Sequence, residues 1–250
     1  MTSRSTDVRT GRNGLWGSGR WVVAIGVLGV ACVDPSLRAT CPVAPGQGPK
    51  VCTKGIRPAV DGVIDDFEDG DLQLLKLADR SGYWFASHDD LGSSLQPNPL
   101  VTAAGGADGS LKALHVTGQT ASGGGAWGAL VGANFVGEGV YDGSDHAGIS
   151  FKAKVGSTST QTVSFKVADV NTHPDGGVCK NCWNHFQKKI ALTTQWRQYR
   201  VSFAEMTQEA GWGDPFPAIT PSKLIAVNWS IEPGRVFDLW IDDIQFFDCL

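Results

Sequence analysis

From Gly62 onward the chain alternates apolar and polar positions in short runs bounded by Gly, Asn, Asp or Pro. Gln161–Asp169 sets Val163, Phe165 and Val167 against Thr162, Ser164 and Lys166. Leu111–Thr117 and Ala147–Val155 alternate in the same way, as do the stretches around Tyr199–Phe203 and Ile225–Ile231. In the last run, Val236–Phe246, Phe237, Leu239 and Ile241 share one phase, and Asp238, Trp240 and Asp242 the other. Period-two alternation is the mark of a half-buried antiparallel strand. Roughly seven or more such runs between turn-rich loops predict an all-β fold, a two-sheet antiparallel β-sandwich of jelly-roll type. One short helical turn is expected near Phe203–Gln208, and no internal repeat is visible.

The first 31 residues follow another pattern. Arg4, Arg9, Arg12 and Arg20 precede an apolar run, Trp21–Ala31, that ends at Cys32. A basic segment before a short apolar one reads as a signal peptide, because a bilayer span needs about 20 residues. With Ala31 before it and Leu28 close upstream, Cys32 resembles the lipid-attachment cysteine of bacterial lipoproteins, although Gly29 stands where Leu or Val is usual. An ordinary export signal is the alternative. The expected organisation is a signal peptide over 1–31, a flexible Pro-, Gly-, Ser- and Thr-rich tether with cysteines over 32–60, and one β domain over 61–250.

Export changes the charge. The 250-residue chain carries −4, and loss of four Arg and Asp7 with the signal takes it to −7. An acidic chain without a basic block is a poor partner for nucleic acid. The 32 glycines disfavour helix and suit turns. In an oxidising compartment cysteines default to disulfides. Cys41 and Cys52 are expected to close a loop within the tether, and Cys179 and Cys182 to pin a long loop, which leaves Cys249 odd. His173, Cys179, Cys182 and His185 also have the ligand types of a zinc site. A redox pair would need a βαβ context that is absent.

Asp243 falls in phase with Leu239 and Ile241, where an unpaired carboxylate is costly to bury, and its own strand holds no basic residue. A Ca²⁺ ion would solve this if the first and last strands pair, with Glu68 and Asp243 as ligands; the alternative is an Asp243 solvated at the sheet rim.

The opening Ile64-Asp65-Asp66-Phe67-Glu68-Asp69-Gly70 with Gly82-Tyr83-Trp84, and the closing Phe237-Asp238-Leu239-Trp240-Ile241-Asp242-Asp243-Ile244, resemble the two ends of a galactose-binding-like β-jelly-roll carbohydrate-binding module of the family 11 kind. Leu114–Gly118, Ala126–Ala129 and Trp196 leading to Tyr199, Val201 and Phe203 agree in order, so the resemblance spans about residues 62–247. It implies a structural Ca²⁺ on Glu68 and Asp243, and a sugar site on the concave sheet or at loop tips.

Sugar binding asks for aromatic faces beside hydrogen-bonding side chains. Trp196 and Trp229 lie in apolar phase and read as core, Trp127 is open between core and surface, and one of Tyr83 and Trp84 must face outward. Trp183 and Trp212 lie in loop-like segments. Trp240 shares its phase with Asp238, and a neighbouring strand is expected to add Asn228 and Ser230. The candidate carbohydrate site is Trp183, His185, Trp212, Asp238 and Trp240. No G-x-S-x-G, H-E-x-x-H, P-loop or E-x-D-x-E run occurs, and Glu138, Glu205, Glu209 and Glu232 are scattered singly. The expectation is a non-catalytic, monomeric polysaccharide-binding protein, exported to the outer membrane or cell surface, or else periplasmic or extracellular. It would touch the membrane through its lipid alone. A polysaccharide lyase or hydrolase of the same fold, and a protein-binding adhesion module, are the alternatives.

Overall fold

The computed structural model describes residues 48–250; the expected signal peptide over 1–31, Cys32 and Cys41 lie outside them. The strands are β1 (Ile56–Asp65), β2 (Trp84–His88), β3 (Ser94–Gln96), β4 (Thr102–Ala104), β5 (Lys112–Gln119), β6 (Ala129–Asn134), β7 (Gly148–Val155), β8 (Thr162–Asp169), β9 (Phe186–Ala191), β10 (Arg197–Ser202), β11 (Leu224–Ile231) and β12 (Val236–Cys249). Among the described residues the only helical turns are short 3-10 segments, one at Phe203–Glu205. The all-β expectation holds.

Two antiparallel sheets form. One runs β10-β7-β12-β5-β3, with β1 on β12 and β4 on β5, for seven strands; the other runs β2-β6-β11-β8-β9. Their apolar phases meet around Trp229, which is fully buried. Its ring lies edge-on to Phe151 and Phe165 at 5.0 and 5.2 Å and stacks on Trp84 at 5.8 Å. Each such aromatic contributes about 1.5–3 kcal/mol by leaving water.

The segment read as tether up to residue 60 is structured earlier than that. Ile56, Arg57 and Pro58 already pair with Cys249, Asp248 and Phe247. Cys52 is bonded to Cys249 across 197 positions, not to Cys41. The pairing of the first strand with the last brings the two ends of the domain together, and Cys249 is no longer odd. Cys179 and Cys182 form the second disulfide, with Cα atoms 5.2 Å apart, so their sulfurs are not zinc ligands here.

The last strand also departs from its pattern. Asp243 has φ 49°, and the register of β12 against β7 shifts between Asp242 and Gln245. A bulge adds one residue and reverses the phase beyond it. Asp242, not Asp243, becomes the buried carboxylate, covered by the loop that carries Ala107.

Candidate functional site

The outer face of the five-stranded sheet carries a polar band. Register places Phe85 beside Gly132, Gly132 beside Asn228, Asn228 beside Lys166, and Lys166 beside Gln187. The adjacent row is Ser87, Leu130, Ser230, Ser164 and Lys189. With strands about 4.8 Å apart, each row crosses about 19 Å of sheet. Asn228, Ser230 and Ser164 are buried although they point away from the core. Gly132 keeps the floor open, since a Cβ there would lie 2.5 Å from the Val227 carbonyl and 2.6 Å from Asn228 Cβ.

The hydrogen-bonding capacity of this floor is largely unused within the chain. Asn228 Oδ1 accepts from the Ser230 hydroxyl, and the Asn228 amide nitrogen donates to no described residue. Lys166 makes no ion pair with a described residue; burial draws its pKa down, while Glu209 and Glu232 act the other way. Lys189 pairs with Glu232. Polar groups in a partly dehydrated floor are costly unless water or a ligand bonds them.

At the β9 edge, Gln187 bridges to Thr207 and carries the face onto the loop after β10. This loop and the disulfide loop are knitted together. Asn184 Nδ2 donates to the carbonyls of Glu209 and Trp212 at 2.8 and 2.7 Å, and Asn184 Oδ1 accepts the Glu209 N–H. Asp214 accepts the amides of Lys180 and Asn181, which hold its carboxyl below the usual range. Between them lies a cleft of about 500 Å³ that Phe186, Glu209, Trp212 and Phe216 help to line. Trp212 and Trp183 are 46% and 58% exposed, and Trp212 Nε1 donates to Glu209. Trp183 stands in the left-handed region at φ 78°. His185 is buried instead, its Nδ1 bonded to the Thr172 hydroxyl, and burial and the neighbouring His173 lower its pKa to about 3.

Asp238 and Trp240 are elsewhere. They lie on the outer face of the seven-stranded sheet, and none of their contacts involves Trp183, His185 or Trp212. Asp238 accepts from Trp240 Nε1 and faces His115 Nε2 at 2.9 Å. Trp240 stacks on His115 at 3.7 Å, and Lys154 Nζ sits 4.6 Å from Trp240 and 4.8 Å from Trp196. Trp196 is therefore half-buried on this outer face and not core. The Trp240 ring is already engaged by its neighbours. The five residues proposed as one site thus fall into two groups, because Trp183, His185 and Trp212 stand in loops tied to the β9 edge of one sheet, whereas Asp238 and Trp240 lie on β12 of the other. Trp127 and Tyr83 are exposed at 47% and 49%.

The acidic ends of the domain meet at a rim. Glu68 Oε1 accepts from Ser110 Oγ and the amides of Leu111 and Lys112, and these bonds, the Lys112 amide foremost, lower its pKa. Asp243 pairs with Lys152 from β7 at 2.7 Å, so the cation missing from its own strand comes from the next one. Asp242 has no basic partner among the described residues; burial pushes its pKa up to about 6, against bonds from the amides of Ala107 and Asp243 and from Ser110. Ser110, whose hydroxyl bonds Glu68, thus lies close to Asp242 as well. Among the described residues no three His, Cys, Asp or Glu side chains group as a metal site, so a cation here would draw on backbone oxygens as well. A buried carboxylate without a counter-charge fits a hard cation such as Ca²⁺.

The chain folds as an all-β, two-sheet antiparallel sandwich of jelly-roll type. The chain is similar in structure to the family 11 module of the cellulosomal cellulase Lic26A-Cel5E of Clostridium thermocellum, with TM-score 0.53, 14% identity, 77% of this chain and 94% of that one covered. A Clostridium thermocellum family 11 module in complex with a β-1,3-1,4-mixed-linked tetrasaccharide gives 0.53 at 14% identity over 76% and 96%. The family 30 module of the cellulosomal cellulase Cel9D-Cel44B of the same organism gives 0.52 at 13% identity over 76% and 98%. No family profile and no curated protein matches the sequence.

Sequence reasoning missed Ser164, Lys166 and Gln187 as site candidates. The signal was present in the polar phase of β8, but an outward polar phase is ordinary until the register shows it buried.

Proposed function

We propose that the protein binds a polysaccharide without cleaving it, on the outer face of the five-stranded sheet. One observation carries this reading: Ser164, Lys166, Asn228 and Ser230 form a floor with unused hydrogen-bonding groups, three of them buried on a face that points away from the core. Sugar hydroxyls supply both donors and acceptors, and the exposed Trp212, Trp127 and Tyr83 offer rings for the apolar faces of pyranoses. The likeness in fold to modules described as carbohydrate-binding supports the same reading. Export by residues 1–31, lipid attachment at Cys32, a cell-surface location, a monomeric state and a structural Ca²⁺ complete the proposal. For the ion, Glu68 is kept and Asp242 takes the place of Asp243.

A panel of soluble polysaccharides tests it by affinity electrophoresis combined with reducing-end analysis. Retardation without new reducing ends supports a binding module, and loss of retardation in Asn228→Ala places it on this face. Depolymerisation would replace the module by an enzyme. No retardation by any glycan would remove carbohydrate altogether.

A further inference from the structure

We propose that a small cavity on the outer face of the seven-stranded sheet, lined in part by Arg57, Ser150, Gln198, Arg200 and Gln245, binds one tetrahedral oxyanion, a sulfate or phosphate group. The cavity lies on the sheet opposite the saccharide face proposed above and does not depend on it. Register builds it: Arg200 of β10 stands beside Ser150 of β7, and Ser150 beside Gln245 of β12. Ile149, Phe151 and Phe246 point into the core, so this row points outward. Gln198 shares the face two residues along β10, and β1 brings Arg57 against the far side of β12.

Every polar side chain of this lining can donate a hydrogen bond, and no Asp or Glu belongs to it, although the whole chain carries −4. Ser150 is 3% exposed, and its hydroxyl bonds no described residue, which is costly unless something in the cavity accepts from it. Arg200 Nη2 donates to Gln198 Oε1 at 2.6 Å, which orients the guanidinium and leaves its other N–H groups unused. The neighbouring charges are already matched. Lys152, the next outward residue of β7, pairs with Asp108 and Asp243, and Asp248, opposite Arg57 in register, pairs with His146. Neither Arg57 nor Arg200 has an ion pair among the described residues, so the cavity holds two uncompensated guanidinium groups. Guanidinium forks are suited to multidentate oxyanions. The cavity encloses about 70 Å³, well under the roughly 300–1,000 Å³ of pockets that enclose whole organic ligands, so it takes one small group. Its donors come from four strands around it rather than from one plane, which favours a tetrahedral group over a planar carboxylate.

Chemical-shift titration of the full chain with sodium sulfate, sodium phosphate and sodium acetate, against sodium chloride at matched ionic strength, tests the site. Sulfate or phosphate is expected to move the signals of Ser150, Gln198, Arg200 and Gln245 saturably, and chloride is not. Arg200→Gln and Ser150→Ala should each weaken sulfate binding about tenfold, with part of the loss recovered in Arg200→Lys. Ser150→Ala should not lower the unfolding midpoint, because the hydroxyl it removes has no partner in the fold. A carrageenan tetrasaccharide separates the two sources of a sulfate group: tighter binding than inorganic sulfate, lost in Arg200→Gln, assigns a sulfate ester on a polymer, and equal or weaker binding assigns the free ion. Either result supports the oxyanion site. Equal shifts with chloride, or sulfate affinity unchanged in both Arg200→Gln and Ser150→Ala, would overturn it. Acetate bound as tightly as sulfate would overturn the tetrahedral assignment.

Discussion

Replacing both Cys52 and Cys249 by serine removes a cross-link between residues 197 positions apart. In the chain-entropy account a cross-link of that span restricts the unfolded chain by about 5 kcal/mol at 25 °C, against about 2 kcal/mol for the Cys179–Cys182 bridge, whose partners are 3 apart. The folded state should change little, because Ile56, Arg57 and Pro58 stay laddered to Cys249, Asp248 and Phe247 by backbone pairing. We expect the Cys52/Cys249 variant to lose about 2–5 kcal/mol, which for a domain of this size is about 5–15 °C in Tm. The Cys179/Cys182 variant should lose less than half as much. Urea unfolding followed by tryptophan fluorescence measures both. Equal losses, or a larger one for Cys179/Cys182, would refute the claim that the terminal staple is the main covalent support of the sandwich.

Other consequences follow from the buried charges. Asp65 accepts from the Phe67 amide and from Trp84 Nε1, and burial pushes its pKa up to about 7. Because the folded chain holds this proton longer than the unfolded one, wild-type stability relative to Asp65→Asn should fall by a few kcal/mol as pH rises from about 4 to about 7, then level off; a pH-independent difference would contradict this. His185 works on the acid side: unfolded chains protonate it below about 6.5 while the folded protein keeps it neutral, so its contribution to stability should shrink as pH falls below that value and vanish in a His185→Gln comparison. Chelation with EDTA should lower Tm, and added Ca²⁺ should restore it; no shift in a calcium-loaded sample would remove Glu68 and Asp242 as ligands.

Much of the fold was legible because β5, β7, β8, β10 and β12 set a core-facing phase against a more polar one, and β11 keeps the same alternation of residue types although all eight of its residues are buried. β6 was hidden, since Val131, Gly132 and Ala133 are all buried and leave no alternation of apolar and polar residues. β9, Phe-Gln-Lys-Lys-Ile-Ala, is an edge strand whose lysines mask its phase. The end of β12 was misread for a different reason: a single residue at positive φ reversed the phase, and alternation carries no mark of a bulge. Cys52–Cys249 depends on which strands pair, and spacing along the chain does not fix that. The same holds for the site. Asn228 and Ser230 were visible as polar, but only the sheet order shows that they stand with Lys166 rather than with Trp240.

Where a saccharide binds decides between the two outer faces of the sandwich. Chemical-shift mapping of the isotopically labelled protein, titrated with the mixed-linked tetrasaccharide and with the other oligosaccharides of the panel, tests this directly. Shifts concentrated on Ser164, Lys166, Gln187, Asn228, Ser230 and the Trp212 indole are predicted. Shifts confined to His115, Asp238 and Trp240 on the opposite sheet, or none with any glycan, would contradict it.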